Sequence, residues 1–401
     1  MSEHDGTPRR PVYLDHNATT PVDPAVTEAA LPYLREHFGN PSSSHAFGAE
    51  PHRAVARARS EVAAFLGAQE QRGQVVFTGS GSEANLLAIR GSVLSATSPR
   101  SHVITQATEH PSVLGTCEAL ARHHGTRVSV LPVSDDGVVD PDLLARLLQQ
   151  PSSGATAGER TVVSVMAANN ETGALQPVRE LAAVAHQHGA LLHCDAAQAA
   201  GKIPLDVESL GVDLLTVVGH KMYAPKGIAA LYVRAGVDLE PVVYGGGQEA
   251  GLRAGTENVA LVVALGTAAR LAAEDLAAGA EQRVSGLRDR LHHALDSGLP
   301  GRVRLNGPVR ERLPNTLNVS VDGVLGHELL DSVPTVAAST GSACHSGEHT
   351  PSPVLTAMGA DRDRALGALR LSLGRWTTAE DVDLAAAGLV RAASVRTPAR
   401  P

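Results

Sequence analysis

Lysine is scarce in this chain of 401 residues: only Lys202, Lys221 and Lys226 occur, every other permanently basic side chain being Arg. Cysteine is as rare. Cys117, Cys194 and Cys344 are too few and too scattered for a disulfide framework or a zinc site, so any that matters acts as a thiol. Aromatic residues make up 2% of the chain, so its core must be assembled from Ala, Val and Leu through many small contacts. No uninterrupted apolar run of about 18 residues suggests a membrane span, and the opening MSEHDGTPRR lacks the apolar stretch of a signal peptide. The chain is therefore expected to be cytoplasmic and off the membrane. A formal net charge of -8 and the lack of any Lys/Arg run give no reason to expect direct nucleic-acid binding.

What is present is enough hydrophobic sequence, 43% of the chain, to bury a large core, and a length that predicts two domains. From about residue 75 the chain alternates short β-branched runs with amphipathic stretches. VVFT (75–78), HVITQ (102–106), RVSVLPV (127–133), TVVSVMAAN (161–169) and ALLHCDAA (190–197) read as buried strands, and helices are expected at 82–90, 110–124, 140–150 and 177–188. Such alternation predicts an α/β fold with a mostly parallel sheet between helices. In open sheets of this kind ligands sit beyond the carboxyl ends of the strands, so polar residues there carry the functional argument. PSSGATAGER (151–160) reads as a surface insertion and SVRTPARP as a frayed tail. After GGGQEAGLRAGTENV (245–259) a long Ala/Leu-rich helix leads into a C-terminal half of different texture.

Four segments stand out. FTGSGSEAN (77–85) joins a strand to a helix through small residues, and its backbone amides suit a phosphate as well as a plain capping turn with Ser82 at the helix start. HCDAAQ (193–198) puts Asp195 at the end of an apolar strand, where a carboxylate calls for a cationic partner. The protonated pyridine nitrogen of pyridoxal phosphate is one such partner, and a loop-capping Asp is the alternative. In VVGHKMYAPKG (217–227), Lys221 follows the buried strand DLLTVV, whereas Lys226 lies in a Pro-Gly turn and Lys202 begins an amphipathic edge. Lys221 is thus the candidate for a lysine bound to that cofactor, and the other two read as solvated. ASTGSACHSGEHTPSP (338–353) surrounds Cys344 with small, turn-forming residues, the setting of an accessible thiol. Cys117 falls on an apolar helix face and Cys194 beside Leu192 on a strand, so both are expected to be inert. His110 in TEHPSV and His220 in GHK sit at strand ends, where His110 is either a site residue or a helix cap.

Taken together, these segments resemble the NifS-type cysteine desulfurases, class V members of the fold type I pyridoxal-phosphate enzymes. The ordered matches are YLDHNATTPVDP, FGNPSSSH, FTGSGSEAN, TEHPSV, NNETG, HCDAAQ, GHK, GGGQE, RAGTENV, STGSAC and RLSLGR, and they span nearly the whole chain. The resemblance implies a large domain over 17–265 with a seven-stranded type of sheet. It implies a smaller α+β domain from 1–16 and 266–401 that carries the cysteine loop. Lys221 would be the Schiff-base lysine, Asp195 the partner of the pyridine nitrogen, His110 the residue stacked on the ring and Gln198 the donor to its phenolic oxygen. Gly81, Ser82 and His220 would hold the phosphate, joined by Thr256 from the second subunit of a homodimer. Asn170 and Arg370 would bind the substrate carboxylate, for which a guanidinium fork is suited.

The activity implied is removal of sulfur from L-cysteine, giving alanine and a persulfide on Cys344 for an acceptor protein of an iron-sulfur or a tRNA- or DNA-thiolating system. Selenocysteine cleavage and transamination are the rival reactions on the same scaffold, and a non-catalytic sulfur-transfer module is the rival of another class. Cys344 speaks against transamination, which needs no thiol. The sequence departs from the family at Val218, where many relatives carry a hydroxyl, and in its short C-terminus after RLSLGRWT. The spacing from Cys344 to Pro351 and Ser352 matches the branch with a longer cysteine loop. His345 beside the thiol either lowers its pKa or is simply exposed.

Overall fold

A computed structural model describes residues 10–97, 100–150, 159–341 and 350–395. In chain order its strands are β1 (Val12–Tyr13), β2 (Gly73–Thr78), β3 (Ser101–Gln106), β4 (Arg127–Leu131), β5 (Arg160–Met166), β6 (Leu191–Asp195), β7 (Leu214–Val218), β8 (Ala229–Arg234), β9 (Val303–Leu305), β10 (Thr316–Val321), β11 (Val336–Ala337) and β12 (Ala368–Ser372). Seven of them form a central sheet in the order β2-β8-β7-β6-β5-β3-β4. From β7 through β4 every neighbour is parallel, and β8 alone runs antiparallel to β2 and β7. This is the mostly parallel sheet expected. β8 had no counterpart among the expected strands; AALYVR, buried except at Arg234, shows no alternation. Arg160, read as part of an insertion, instead opens β5; residues 151–158 of that insertion lie outside the described residues.

The expected helices appear as Gly81–Leu94, Pro111–His124, Pro141–Gln149 and Val178–Gln187. Proline begins two of them, where its missing N–H is no loss. The shortage of aromatics shows in the packing. Helices Ala46–Phe65 and Val259–Ala277 approach so closely that a methyl on Gly266 would lie 2.8 Å from Ala58 Cβ. Small residues thus replace bulky ones by bringing backbones together.

A second, antiparallel sheet has the order β12-β10-β9. Helices Ala280–Gly298 and Ala379–Ser394 share a core with it, built from Leu291, Leu295, Val319, Leu371, Val382 and Leu389. β1 pairs in parallel with β11, and Asp15 then bridges to Ser372 at the end of β12. The N-terminal segment DHNATT therefore crosses from the smaller sheet to the carboxyl ends of the central one.

Candidate active site

The carboxyl ends of β5, β6 and β7 lie side by side, with Met166 opposite Asp195 and Asp195 opposite Thr216. Asp195 is buried there. Its Oδ2 accepts a hydrogen bond of 2.8 Å from Asn85 Nδ2, and its Oδ1 accepts one of 3.0 Å from the Ala197 amide. It therefore shapes the following loop as well as facing the helix Gly81–Leu94, so the two readings offered by the sequence are not exclusive. Neighbouring Glu109 is also buried, its Oε1 accepting from Met166 N (2.6 Å) and Gln106 Nε2 (2.9 Å). Burial, and after it the charge of Asp195, push the Glu109 carboxyl up to about 8. At neutral pH the Glu109 carboxyl therefore favours its protonated form.

Five residues beyond Thr216, the turn Gly219–Lys221 aims Lys221 back over the strand ends. Its Nζ donates to the carbonyls of Asn17 and, at 2.8 Å, of Ala18. Burial lowers its pKa to about 8, assisted by Arg370 and opposed by Asp15 and Asp195. Tyr223, two residues on, holds a left-handed φ of 64° that favours glycine. Thr20 Oγ1 accepts from the Tyr223 amide and Tyr223 O from the Asp23 amide, both at 2.9 Å, which pins the turn.

The three lysines separate clearly. Lys226 is exposed. Lys202 is not the solvated residue its amphipathic context suggested: its Nζ turns inward and donates to Gln198 O (2.9 Å) and Gln198 Oε1 (2.7 Å). Burial, with Lys221 and Arg370 adding to it, drives the pKa of Lys202 well down. Gln198 in turn donates through Nε2 to Asn17 O at 2.9 Å, the same carbonyl that receives Lys221. A cavity of about 350 Å³ opens beside both amines, lined also by His16, Tyr223, Arg283, Asn315 and Arg375.

The helix cap of FTGSGSEAN is Ser80 rather than Ser82: Ser80 Oγ accepts from the Glu83 amide at 3.1 Å. Ser82 is exposed in the first turn, where the amides of Gly81 and Ser82 have no intrahelical acceptor. A methyl on Gly81 would lie 2.5 Å from Val218 Cγ2. Val218 therefore sets a methyl group against this turn. His220 is half-buried nearby, with Nδ1 3.2 Å from Thr19 Oγ1. Burial, then the lysines 221, 226 and 202, lower its pKa to about 4, so the ring is neutral. His110 caps its helix, with Nδ1 accepting from Ser112 N at 3.1 Å, while the ring remains exposed toward the site. Burial lowers its pKa, with Asp195 opposing and Lys221 adding.

On the side of the smaller sheet, Arg370 is buried on β12, its Nη2 2.8 Å from Asp15 Oδ1 and its Nη1 3.3 Å from the Asn170 carbonyl. Its Nε has no protein partner among the described residues. Asn170 is thereby brought to Arg370, and Asn17 Nδ2 reaches the same Asn170 carbonyl at 3.1 Å. Cys344 lies outside the described residues. The residues that flank it converge: a methyl on Gly341 would lie 2.7 Å from Glu171 Oε2, and Ser352 Oγ donates to that oxygen at 2.6 Å. Cys117 and Cys194 are buried, and burial pushes both thiols up, Cys117 to about 12. Thr256 is exposed, in a segment tied back to the helix that starts at Gly81 by the ion pair of Arg253 and Glu83 at 2.8 Å.

Asp15, Asn17, Asn85, Glu109, Glu171 and Lys202 were not singled out as site residues from the sequence. All but Lys202 sit inside segments quoted as motifs, which was the available signal. What the motifs did not tell was which atoms would meet.

The chain matches the family model described as aminotransferase class-V over residues 12–384. It is 45% identical to a protein of Trichormus azollae described as cysteine desulfurase, over 374 residues that cover 93% of this chain and 90% of that one. Among solved structures it resembles a NifS-like protein, with a TM-score of 0.85, 34% identity and coverage of 96% and 99% of the two chains. It also resembles a structure described as SspA in complex with cysteine, with a TM-score of 0.77, 32% identity and coverage of 91% and 99%.

Proposed function

The chain belongs to the class-V aminotransferase family, with the cysteine desulfurases, and on that premise we propose how its residues take sulfur from L-cysteine. It is a pyridoxal-phosphate enzyme by family, and the residues present fit that group. The turn at Gly81 admits no side chain, its first amides are free to meet a phosphate, a carboxylate stands at the end of β6, and a buried amine of lowered pKa faces it. Gly81, Ser82 and His220 would hold the phosphate, Asp195 the ring nitrogen, Gln198 the phenolic oxygen, His110 the ring face and Lys221 the aldehyde carbon. When bound, the cofactor supplies an electron sink for the charge left on the α-carbon.

The remaining work falls to the chain. Arg370 and Asn170 bind the substrate carboxylate, and the unpartnered Arg370 Nε is a donor to spare for it. Lys221 Nζ, whose pKa is lowered to about 8, takes the α-proton and returns it. Cys344 Sγ attacks the substrate sulfur. A sulfur–sulfur bond forms as the carbon–sulfur bond breaks, the pair left on carbon takes a proton, and the products are alanine and a Cys344 persulfide. The atoms and electrons balance without an added oxidant or reductant.

The observation that carries the reading is the convergence of Lys221 and Gln198 on one carbonyl, Asn17 O, beside the carboxylate of Asp195. The pinning of Gly341 and Ser352 on Glu171, next to Asn170, supports delivery of Cys344 to the same place. The structure named as a complex with cysteine supports the choice of substrate. We include in the proposal the division into 17–265 and 1–16 with 266–401, a homodimer completed by Thr256, and a protein acceptor for the persulfide.

The test is to incubate wild type, Cys344→Ser, Cys117→Ser and Cys194→Ser with L-cysteine and measure alanine. Formation should nearly stop in Cys344→Ser alone, because a hydroxyl is a poor nucleophile toward sulfur. Full activity in that variant, or loss in either other with the fold intact, places the carrier elsewhere.

A further inference from the structure

Lys202 is a buried amine that the reaction above does not use. An amide side chain has two unlike ends, a carbonyl that accepts and an NH₂ that donates, and its partners decide which faces which way. At Gln198 the two ends have different partners, Lys202 on the carbonyl and Asn17 O on the NH₂. The Lys202 amine donates to Oε1 at 2.7 Å, which holds the carbonyl end, and to Gln198 O at 2.9 Å, which holds the backbone from which that side chain springs. The NH₂ end is thereby directed to Asn17 O at 2.9 Å, beside Lys221. Among the described residues Lys202 forms no ion pair with a carboxylate; the charged groups that act on it are Lys221 and Arg370, and His16 in turn feels its charge. Turning a half-buried lysine inward with no carboxylate partner costs free energy, which a surface role would not require.

We propose that Lys202 is a positioning residue that holds the amide of Gln198 with its N–H end toward the cofactor's phenolic oxygen. The inference rests on the reading of Gln198 as the donor to that oxygen, and a double-mutant cycle separates the two. The variants are Lys202→Met, which keeps the length and loses the donors, Gln198→Leu, and both together. The readout is the pH midpoint of the visible absorbance of the cofactor-loaded protein. Each single variant should move the midpoint upward by about half a unit or more, because loss of the donor, or of its alignment, at the oxygen favours the protonated form. The double variant should move little further than Gln198→Leu alone, since Lys202 acts through that amide. Lys202→Arg, which keeps a donor, should fall nearer wild type.

If Gln198→Leu leaves the midpoint in place, the reading of Gln198 is wrong and the inference falls with it. If Gln198→Leu shifts it but Lys202→Met does not, or if the two shifts simply add, the reading stands and the positioning role of Lys202 is overturned. Should Lys202→Met fail to fold, as judged by circular dichroism of the apoprotein, the shorter Lys202→Leu, which also lacks a donor, serves the same cycle.

Discussion

The lowered pKa of Lys221 has a kinetic consequence that can be worked out in advance. With a pKa of about 8, the amine is deprotonated in about one molecule in four at about pH 7.5, against about one in a thousand for an ordinary lysine, an advantage of about two hundredfold in the nucleophilic form. Capture of pyridoxal phosphate by the apoprotein, followed by stopped-flow absorbance, should therefore rise about tenfold per pH unit at low pH and bend to a plateau near pH 8. The sign follows from the causes: burial and Arg370 disfavour the ammonium, whereas Asp15 and Asp195 favour it. Arg370→Met should move the bend upward but only part of the way, because burial is the larger cause, and Asp15→Asn should move it downward. A capture rate still climbing tenfold per unit at about pH 10 would refute the reasoning, since it would describe a lysine in water. So would undiminished capture by Lys221→Ala with a borohydride-reduced adduct on Lys202 or Lys226.

Asp195→Asn should fold, because an amide oxygen can still accept from Asn85 Nδ2 or Ala197 N. Its turnover should fall by orders of magnitude, and near-normal alanine release would make the carboxylate structural. Gly81→Ala puts a methyl 2.5 Å from Val218 Cγ2 and should destabilise the apoprotein by about 1–3 kcal/mol in a urea melt. Adding Val218→Ala should recover part of that loss, and strict additivity of the two would show that the contact is not real. Light scattering should find a homodimer; dilution to a fully active monomer would remove Thr256 from the site.

The fold was legible because its signals are local. Buried strands flanked by Gly, Pro and polar residues announce themselves in five or six letters, and proline or Asp at a helix start marks its first turn. β8 escaped because its run AALYVR opens on two alanines, weak strand formers, and its antiparallel sense is encoded by no periodicity. The order β2-β8-β7-β6-β5-β3-β4 is likewise a property of long-range pairing. At the site, residue type sufficed where a group's chemistry is unusual for its position: a carboxylate ending an apolar strand, or a lysine following one. It failed at Lys202, where an amphipathic context and a real burial site look the same in sequence, and at Ser80 and Ser82, where either hydroxyl could cap. Val218 illustrates the converse. Read as the loss of a hydroxyl, it proves to be the methyl against which Gly81 is packed.

The contact that organises the site was the least legible, because it is made by backbone atoms. Asn17 O receives Lys221 and Gln198, the Ala18 carbonyl receives Lys221 again, and His220 O accepts from Thr20 N at 2.9 Å. Any residue offers a carbonyl, so no letter in DHNATT could have signalled that role. Its side chains meanwhile hold the other half of the site: Asp15 grips Arg370, and Asn17 Nδ2 bonds the Asn170 carbonyl and Thr316 Oγ1. Since this segment continues from β1, which is paired to β11 and bridged to Ser372, the lysine of the central sheet and the arginine of the smaller one are fixed to the same short stretch of chain. Any movement of the smaller sheet that shifts Arg370 must therefore either carry Asp15 and Asn17 with it, disturbing the bonds to Lys221, or break the 2.8 Å ion pair first. In the proposed role of Arg370, a substrate carboxylate would compete with Asp15 for that same guanidinium, and release of Asp15 would free the segment holding the amine.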